Sequence, residues 1–404
     1  MVPNLLKPSQ LGEIPKDWKR VKLSDVMKVR QGLQIAISER LTSPTSTSKE
    51  YITIQSIKKT DQVREYVEAP SQRVICSKDD VLMTRTGNTG IVVTGVEGAF
   101  HNNFFLMDFD KNRINTTFLV NYLRSPRIQH LILTKAGAST IPDLNHKDFY
   151  SIEFPLAPIL EQQKIAKILS TWDKAISTTE RLIDNSTQQK KALMQQLLTG
   201  KKRLLNDEGK PFEGEWEEVK LSEIAQITMG SSPKSDAYNE IGDGLPLLQG
   251  NADIKNRKSA PRIYTSQITK ECHVDDILFS VRAPVGTVAL SNHNACIGRG
   301  IAAIKAKKNH SQDYLYQWLL SFELKWERYS QGSTFEAVNS DDIKSLNLSI
   351  PNYKEQQKIA TVLTNADKEI ELLEQQLADL QQEKKALMQV LLTGKKRVVV
   401  DGES

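Results

Sequence analysis

The residues most able to do chemistry sit in polar turns. Arg85-Thr86-Gly87-Asn88-Thr89-Gly90 follows the apolar run Val81-Leu82-Met83, and Arg282-Ala283-Pro284-Val285-Gly286 follows Ile277-Leu278-Phe279. Each reads as a strand ending in a turn that begins with arginine. Arginine can bond the major-groove edge of guanine with two donors, asparagine can pair likewise with adenine, and glycine lets the backbone come close to phosphates. Further polar turns are His101-Asn102-Asn103, Gly298-Arg299-Gly300, Ser139-Thr140 and Ser333-Thr334. The candidates for contact with nucleic acid are therefore Arg85, Thr86, Asn88, Thr89, His101, Asn102, Asn103, Ser139, Thr140, Arg282, Arg299, Ser333 and Thr334. Any one of them alone is better explained by an ordinary hairpin with a solvated side chain. The set carries more weight because arginine stands at the corresponding turn in both halves. The lysines and arginines spread through both stretches would supply salt-sensitive phosphate affinity or simply a solvated face.

Other chemistries lack their residues. There is no G-x-x-x-x-G-K-[ST] phosphate loop, and Gly298-Arg299-Gly300 runs into Ile301-Ala302-Ala303, which fails the dinucleotide pattern. No Pro-Pro dipeptide occurs, so the Asp/Asn-Pro-Pro-Tyr loop of amino-methyltransferases is absent. Cys272-His273 with His293-x-x-Cys296 could suggest zinc, but the spacing fits no familiar site, and buried thiols with surface imidazoles fit better. Asp79-Asp80 and Asp275-Asp276 read as turn chemistry before a strand. No catalytic residue, cofactor or metal site is expected. The 404 residues carry a net charge of +5, which permits an anionic partner without requiring one. Three cysteines, no charged-then-apolar leader and no membrane-length apolar run lead to the expectation of a soluble, cytoplasmic chain.

The turns are set in a frame that occurs twice. Glu161-Gln162-Gln163-Lys164-Ile165-Ala166 recurs at 355–360, and each copy leads to K-K-A-L-M-Q and then L-L-T-G-K-K-R. Upstream, W-x-x-V-K-L-S occurs at Trp18 and again at Trp216. The ends of the two repeats match closely, whereas the interiors, about 33–135 and 231–330, do not. Ile165, Leu169, Trp172, Ile176, Thr179, Ile183, Ser186, Lys190, Leu193 and Leu197 follow steps of three and four, as do Ile359, Leu363, Ala366, Ile370, Leu373, Leu377, Leu380, Lys384, Leu387 and Leu391. That is a heptad seam on each of two long helices, with Gly200 and Gly394 as natural stops. A helix over 161–198 is about 57 Å long. A compact globule has its ends close together, so the second helix should return along the first. The expected architecture is α+β and pseudo-twofold: two similar globules joined by two long helices in an antiparallel coiled coil. The expected segments are a globule at 1–155, a helix at 156–200, a globule at 201–350, a helix at 351–395 and a tail at 396–404.

Seen twice and in this order, the W-x-x-V-K-L-S starts, the D-D-[VI]-L turns and the EQQKIA to GKKR helices resemble the specificity subunit of type I restriction–modification systems. The resemblance covers nearly the whole chain. It implies a non-catalytic subunit with two target-recognition domains. Each would read half of a bipartite, asymmetric site in double-stranded DNA, and the paired helices would act as a ruler. It also implies two modification subunits, which use S-adenosylmethionine to methylate adenine, and restriction subunits bound through them. The competing expectation is a coiled-coil scaffold whose globules bind protein.

Overall fold

The computed structural model describes residues 6–9, 12–58, 63–137, 140–331 and 338–400. The chain divides into two compact units, Met1–Glu180 with Gln375–Ser404, and Arg181–Glu374.

Each unit is closed by its own repeat signature. In the first, Lys19–Lys22 pairs antiparallel with Glu153–Leu156; in the second, Glu217–Lys220 pairs with Asn347–Ile350. The two ends of each globule thus meet in a two-stranded ribbon that leads into a long helix, Ile159–Leu197 or Tyr353–Leu391. Neither helix contains glycine or proline, which accounts for its uninterrupted 39 residues. Both end in a left-handed glycine, Gly200 and Gly394, each with φ of 69°. The amides of Lys202 and Lys396 then reach back to the carbonyls of Gln196 and Val390, satisfying helix-end acceptors. A side chain on Gly394 would collide with Pro15 Cγ at 2.4 Å.

The seam residues named from the heptad pattern all lie on the less exposed face of their helices. Within each unit the helices run antiparallel. In the first unit Asp173 meets Lys384 while Glu161 meets Arg397; in the second Asp367 meets Lys190 while Glu355 meets Arg203. The core of the first unit takes in Met388, Leu391 and Leu392 from the end of the second helix, and the core of the second takes in Leu197 and Leu198 from the end of the first.

Although their sequences diverge, the interiors share one strand plan. The first globule orders Met27–Gln31, Phe104–Phe109, Val81–Thr84 and Val92–Val93 in an antiparallel sheet. The second orders Ala225–Met229, Ile301–Ala306, Ile277–Ser280 and Val288–Leu290 in the same way, then adds a hairpin, Ile254–Lys255 with Lys258–Ser259. A second sheet holds one parallel pair in each globule, Lys49–Ile52 with Gly98–Phe100 and Leu245–Leu248 with Ala295–Ile297. The strands at the centre are buried on both faces. Met83, Phe105 and Met107 face one apolar cluster, while Leu82, Phe104 and Leu106 face another. Such a sheet demands apolar volume rather than particular side chains, so identity fades where the fold persists.

Candidate nucleic-acid interface

The strand registers gather three loops at one end of each central sheet. Phe105 lies opposite Gln31 and Phe104 opposite Thr84, so the segments after Gln31, after Thr84 and before Phe104 converge. In the second globule Met229 lies opposite Ala302 and Ser280 opposite Ile301, with the same result. The other end of the sheet belongs to the long helix. Gln162 accepts from the Asn115 amide and donates to the carbonyls of Arg113 and Ala157, and Gln356 accepts from the Ser311 amide and donates to the Pro351 carbonyl. The EQQKIA glutamine is therefore a buried clasp, and the loops it leaves free face away from the helix.

Two of the loops cross at a glycine. Leu33 N donates to Phe100 O and Asn102 N to Leu33 O; in the second globule Ser231 N donates to Ile297 O. A Cβ on Gly32 would lie 2.1 Å from Phe100 O, and one on Gly230 would lie 2.2 Å from Gly298 O. Close backbone approach, not an unusual φ, requires glycine here. Across the crossing, Asn102 Nδ2 donates to Gln34 Oε1 at 2.7 Å, and Arg299 donates to Ser232 Oγ from its backbone N at 3.1 Å and its Nε at 3.4 Å.

The third loop corrects the pairing of Arg85 with Arg282. Arg85 N donates to Asn103 O and Arg85 O accepts from Leu144 N; Val281 N donates to Gly300 O and Val281 O accepts from Val338 N. Arg85 is thus the counterpart of Val281, and Arg282 that of Thr86. A shift of one residue along an extended segment turns the side chain to the other face. Arg85 points inward, 16% exposed, bonded to both oxygens of Asp143 at 3.0 and 2.9 Å, with its guanidinium 5.4 Å from the Phe105 ring. Arg282 is exposed and has no acidic partner among the described residues. The Arg85 guanidinium, then the Thr86 hydroxyl, hold the Asp143 carboxyl below the usual carboxylate range. Thr89 is buried, its hydroxyl between the carbonyls of Arg85 and Pro142 at 2.9 and 2.7 Å. Arg85, Thr86 and Thr89 therefore tie the turn to residues 142–144 and do not offer free base-reading groups.

Of the remaining candidates, Asn88, Thr140 and Arg299 are exposed. His101 is half-buried, its Nδ1 accepting from Asn103 N, and burial, then Arg40, pushes its pKa down. Asn102 is turned inward, with Oδ1 buried. Ser139, Ser333 and Thr334 lie outside the described residues. Sequence reading missed Gln34 and Ser232. Their signal was Gly32 and Gly230, which stand at equal distances from Trp18 and Trp216. Among the described residues no group of three or more His, Cys, Asp or Glu is placed to hold a metal. Cys272 and Cys296 are buried on paired strands, and Asp80 and Asp276 cap the turns at Ser77 N and His273 N.

Each unit is a loop-bearing α+β globule packed on antiparallel stretches of the two long helices. The family described as the type I restriction modification DNA specificity domain matches residues 15–185 and again 213–382, and the chain belongs to that family. It is 32% identical to a type I restriction enzyme specificity subunit (MjaX) of Methanocaldococcus jannaschii, over 97% of this chain and 96% of that one. It is 24% identical to the MjaVIII specificity subunit of the same organism, over 95% and 94% of the two chains. The fold is shared with the S subunit of a type I restriction–modification system from M. genitalium, with a TM-score of 0.61, 14% identity and 97% of each chain covered. It is also shared with a chain from a structural study of complex assembly and conformational transition in the type I R-M system. There the TM-score is 0.61 at 23% identity, with 95% of this chain and 99% of that one covered.

Proposed function

We propose that this chain is the DNA specificity subunit of a type I restriction–modification complex and does no chemistry itself. Each globule reads one half of a bipartite, asymmetric duplex site, and the two helices joining the readers set the length of the unread stretch. Modification subunits bind this frame and methylate adenine, two of them per complex, and restriction subunits join through them. A complex that acts on DNA places the chain in the cytoplasm; among the described residues no helix is long and apolar enough to cross a membrane.

One observation carries the reading beyond family membership. The same three-loop frame is built twice, with matching backbone bonds, yet its tips differ: Gln34 and Asn102 in one globule, Ser232 and Arg299 in the other. Identical frames with unlike tips suit a target made of two unlike halves. A scaffold binding protein through both globules would not need tips of base-reading type.

The test is methylation-site sequencing of DNA from a host carrying this chain with its cognate modification subunit. The expected result is a single split motif with methylated adenine on each strand. Methylation without a split motif would overturn the reading. Removing one heptad from each long helix should shorten the gap and leave both half-motifs as they were.

A further inference from the structure

We propose that Gln34 and Arg299 are the principal base-reading side chains of the two globules, Gln34 taking adenine and Arg299 guanine, and that Asn102 and Ser232 are their positioning residues. This rests on the DNA-reading function above and assigns that function to particular atoms.

The argument starts from the crossing loops. In each globule one residue on the loop after the first central strand bonds one residue on the turn before the last, and each bonded pair combines a long side chain with a short one. In the first globule the long member is Gln34, exposed, and the short member is Asn102, turned inward with its Oδ1 buried. In the second the long member is Arg299, exposed, and the short member is Ser232. Reader and support have exchanged loops while the contact between them has kept its place.

The atoms left over decide what each can read. Gln34 Oε1 accepts one bond from Asn102 Nδ2, leaving a second lone pair and both Nε2 hydrogens. An amide fixed in this orientation matches adenine, accepting from N6 and donating to N7. Arg299 commits its backbone N and its Nε to Ser232 Oγ, and its two Nη groups have no protein partner among the described residues. They form the two-donor edge that matches guanine O6 and N7. Holding either group in place in advance lowers the ordering cost when it meets a base. Arg282 lacks such support: it is exposed, no side-chain bond holds it among the described residues, and it corresponds to Thr86. It is assigned to phosphate contact.

The experiment uses the full chain in complex with its modification subunit, with methylation mapped over genomic DNA and rates measured on single-substituted duplexes. Gln34→Ala should lose the preference for adenine at one position of one half-motif, by on the order of 10- to 100-fold, with the other half-motif intact. Arg299→Ala should do the same for one guanine in the other half-motif. Ser232→Ala should weaken that guanine preference, and Ser232→Thr should restore it. Arg282→Ala should slow methylation of all duplexes alike and flatten its salt dependence. If Gln34→Ala and Arg299→Ala leave every base preference as in the parent while the parent retains its split motif, the assignment is wrong and the reading function stands. If the parent complex itself shows no split motif, the function fails with it.

Discussion

Arg397 forks between two parts of the first unit, reaching the Glu161 carboxylate through Nε and Nη2 and Asp17 through Nη1 and Nη2 at 3.0 and 2.8 Å. Arg203 does the same work in the second unit, bonding Glu355 through Nε and Nη2 at 2.7 Å each and the Gly214 carbonyl through Nη1. The GKKR that ends one repeat is therefore bound to the EQQKIA that begins the helix of the other. This explains why both strings occur twice with so little change: each is half of a joint made with the other copy.

Breaking one joint should hurt one unit. Glu355 has a fully buried side chain, so Arg203→Ala leaves a carboxylate out of water with no counter-charge. A loss of about 3–5 kcal/mol is expected, and Arg203→Lys should recover only part because the fork is lost. Hydrogen exchange resolved by peptide should show protection falling first in residues 181–374. For Arg397→Ala it should fall first in residues 1–180. Equal loss in both units from either variant would contradict separate joints.

The same contacts predict that the chain tolerates new ends. Arg397 and Asp17 are hydrogen-bonded, so the C-terminal segment already lies against the N-terminal one. Arg203 anchors the connection between the repeats before the turn at Asn206–Gly209. A permutant opened near Glu208, with the old ends joined by a short flexible linker, should fold to the same helix content and melt within a few degrees of the parent. Cutting between Leu198 and Arg203 instead should destabilise the second unit, because it separates that arginine from its own helix. Equal behaviour of the two permutants in a thermal melt monitored by circular dichroism would count against the anchoring role.

Much of this was legible in the sequence. The seam was, because helix period and the absence of glycine and proline leave few alternatives to a long amphipathic helix. So was the pairing of the two copies, since a seam must find a partner. Only part of the shared strand plan of the interiors was visible: Val81-Leu82-Met83 and Ile277-Leu278-Phe279 read as matching strands, but Phe104–Phe109 and Ile301–Ala306 meet the same burial with no side chain in common. Arg85 misled for a physical reason: spacing shows that a residue is in a turn but not which face it takes. Counting back from Gly90 and Gly286 would have set Arg85 against Val281. Gln34 and Ser232 were invisible because their roles come from a crossing between loops far apart in the chain.

The internal role of Arg85 has a mutational signature. Val281 occupies its place in the second globule, and in sequence Ala337 stands where Asp143 does, outside the described residues. The first globule thus carries a charged residue where the second carries an apolar one. Arg85→Val alone should destabilise the first unit by about 0.2–1 kcal/mol, since Asp143 loses its main partner but is 45% exposed and can be solvated. Arg85→Val with Asp143→Ala should be less damaging than the sum of the two single changes, with a coupling of about 0.2–1 kcal/mol by denaturant melts. Additive losses would mean that the two side chains act independently.

Acid should loosen the first globule through His101. Its Nδ1 accepts the Asn103 amide, which requires an unprotonated nitrogen, and burial together with Arg40 depresses its pKa below 6.5. The unfolded chain then binds a proton more readily than the folded one between the ordinary value and the depressed one. Stability from this group is complete above 6.5 and is lost as pH falls through the folded pKa. His101→Gln, which keeps an acceptor without a titrating group, should flatten that part of the stability curve. Nuclear magnetic resonance titration of the His101 ring should give a midpoint below 6.5, and exchange of the Asn103 amide should quicken over the same range. A His101 midpoint at or above the ordinary value would show that its Nδ1 does not hold the turn.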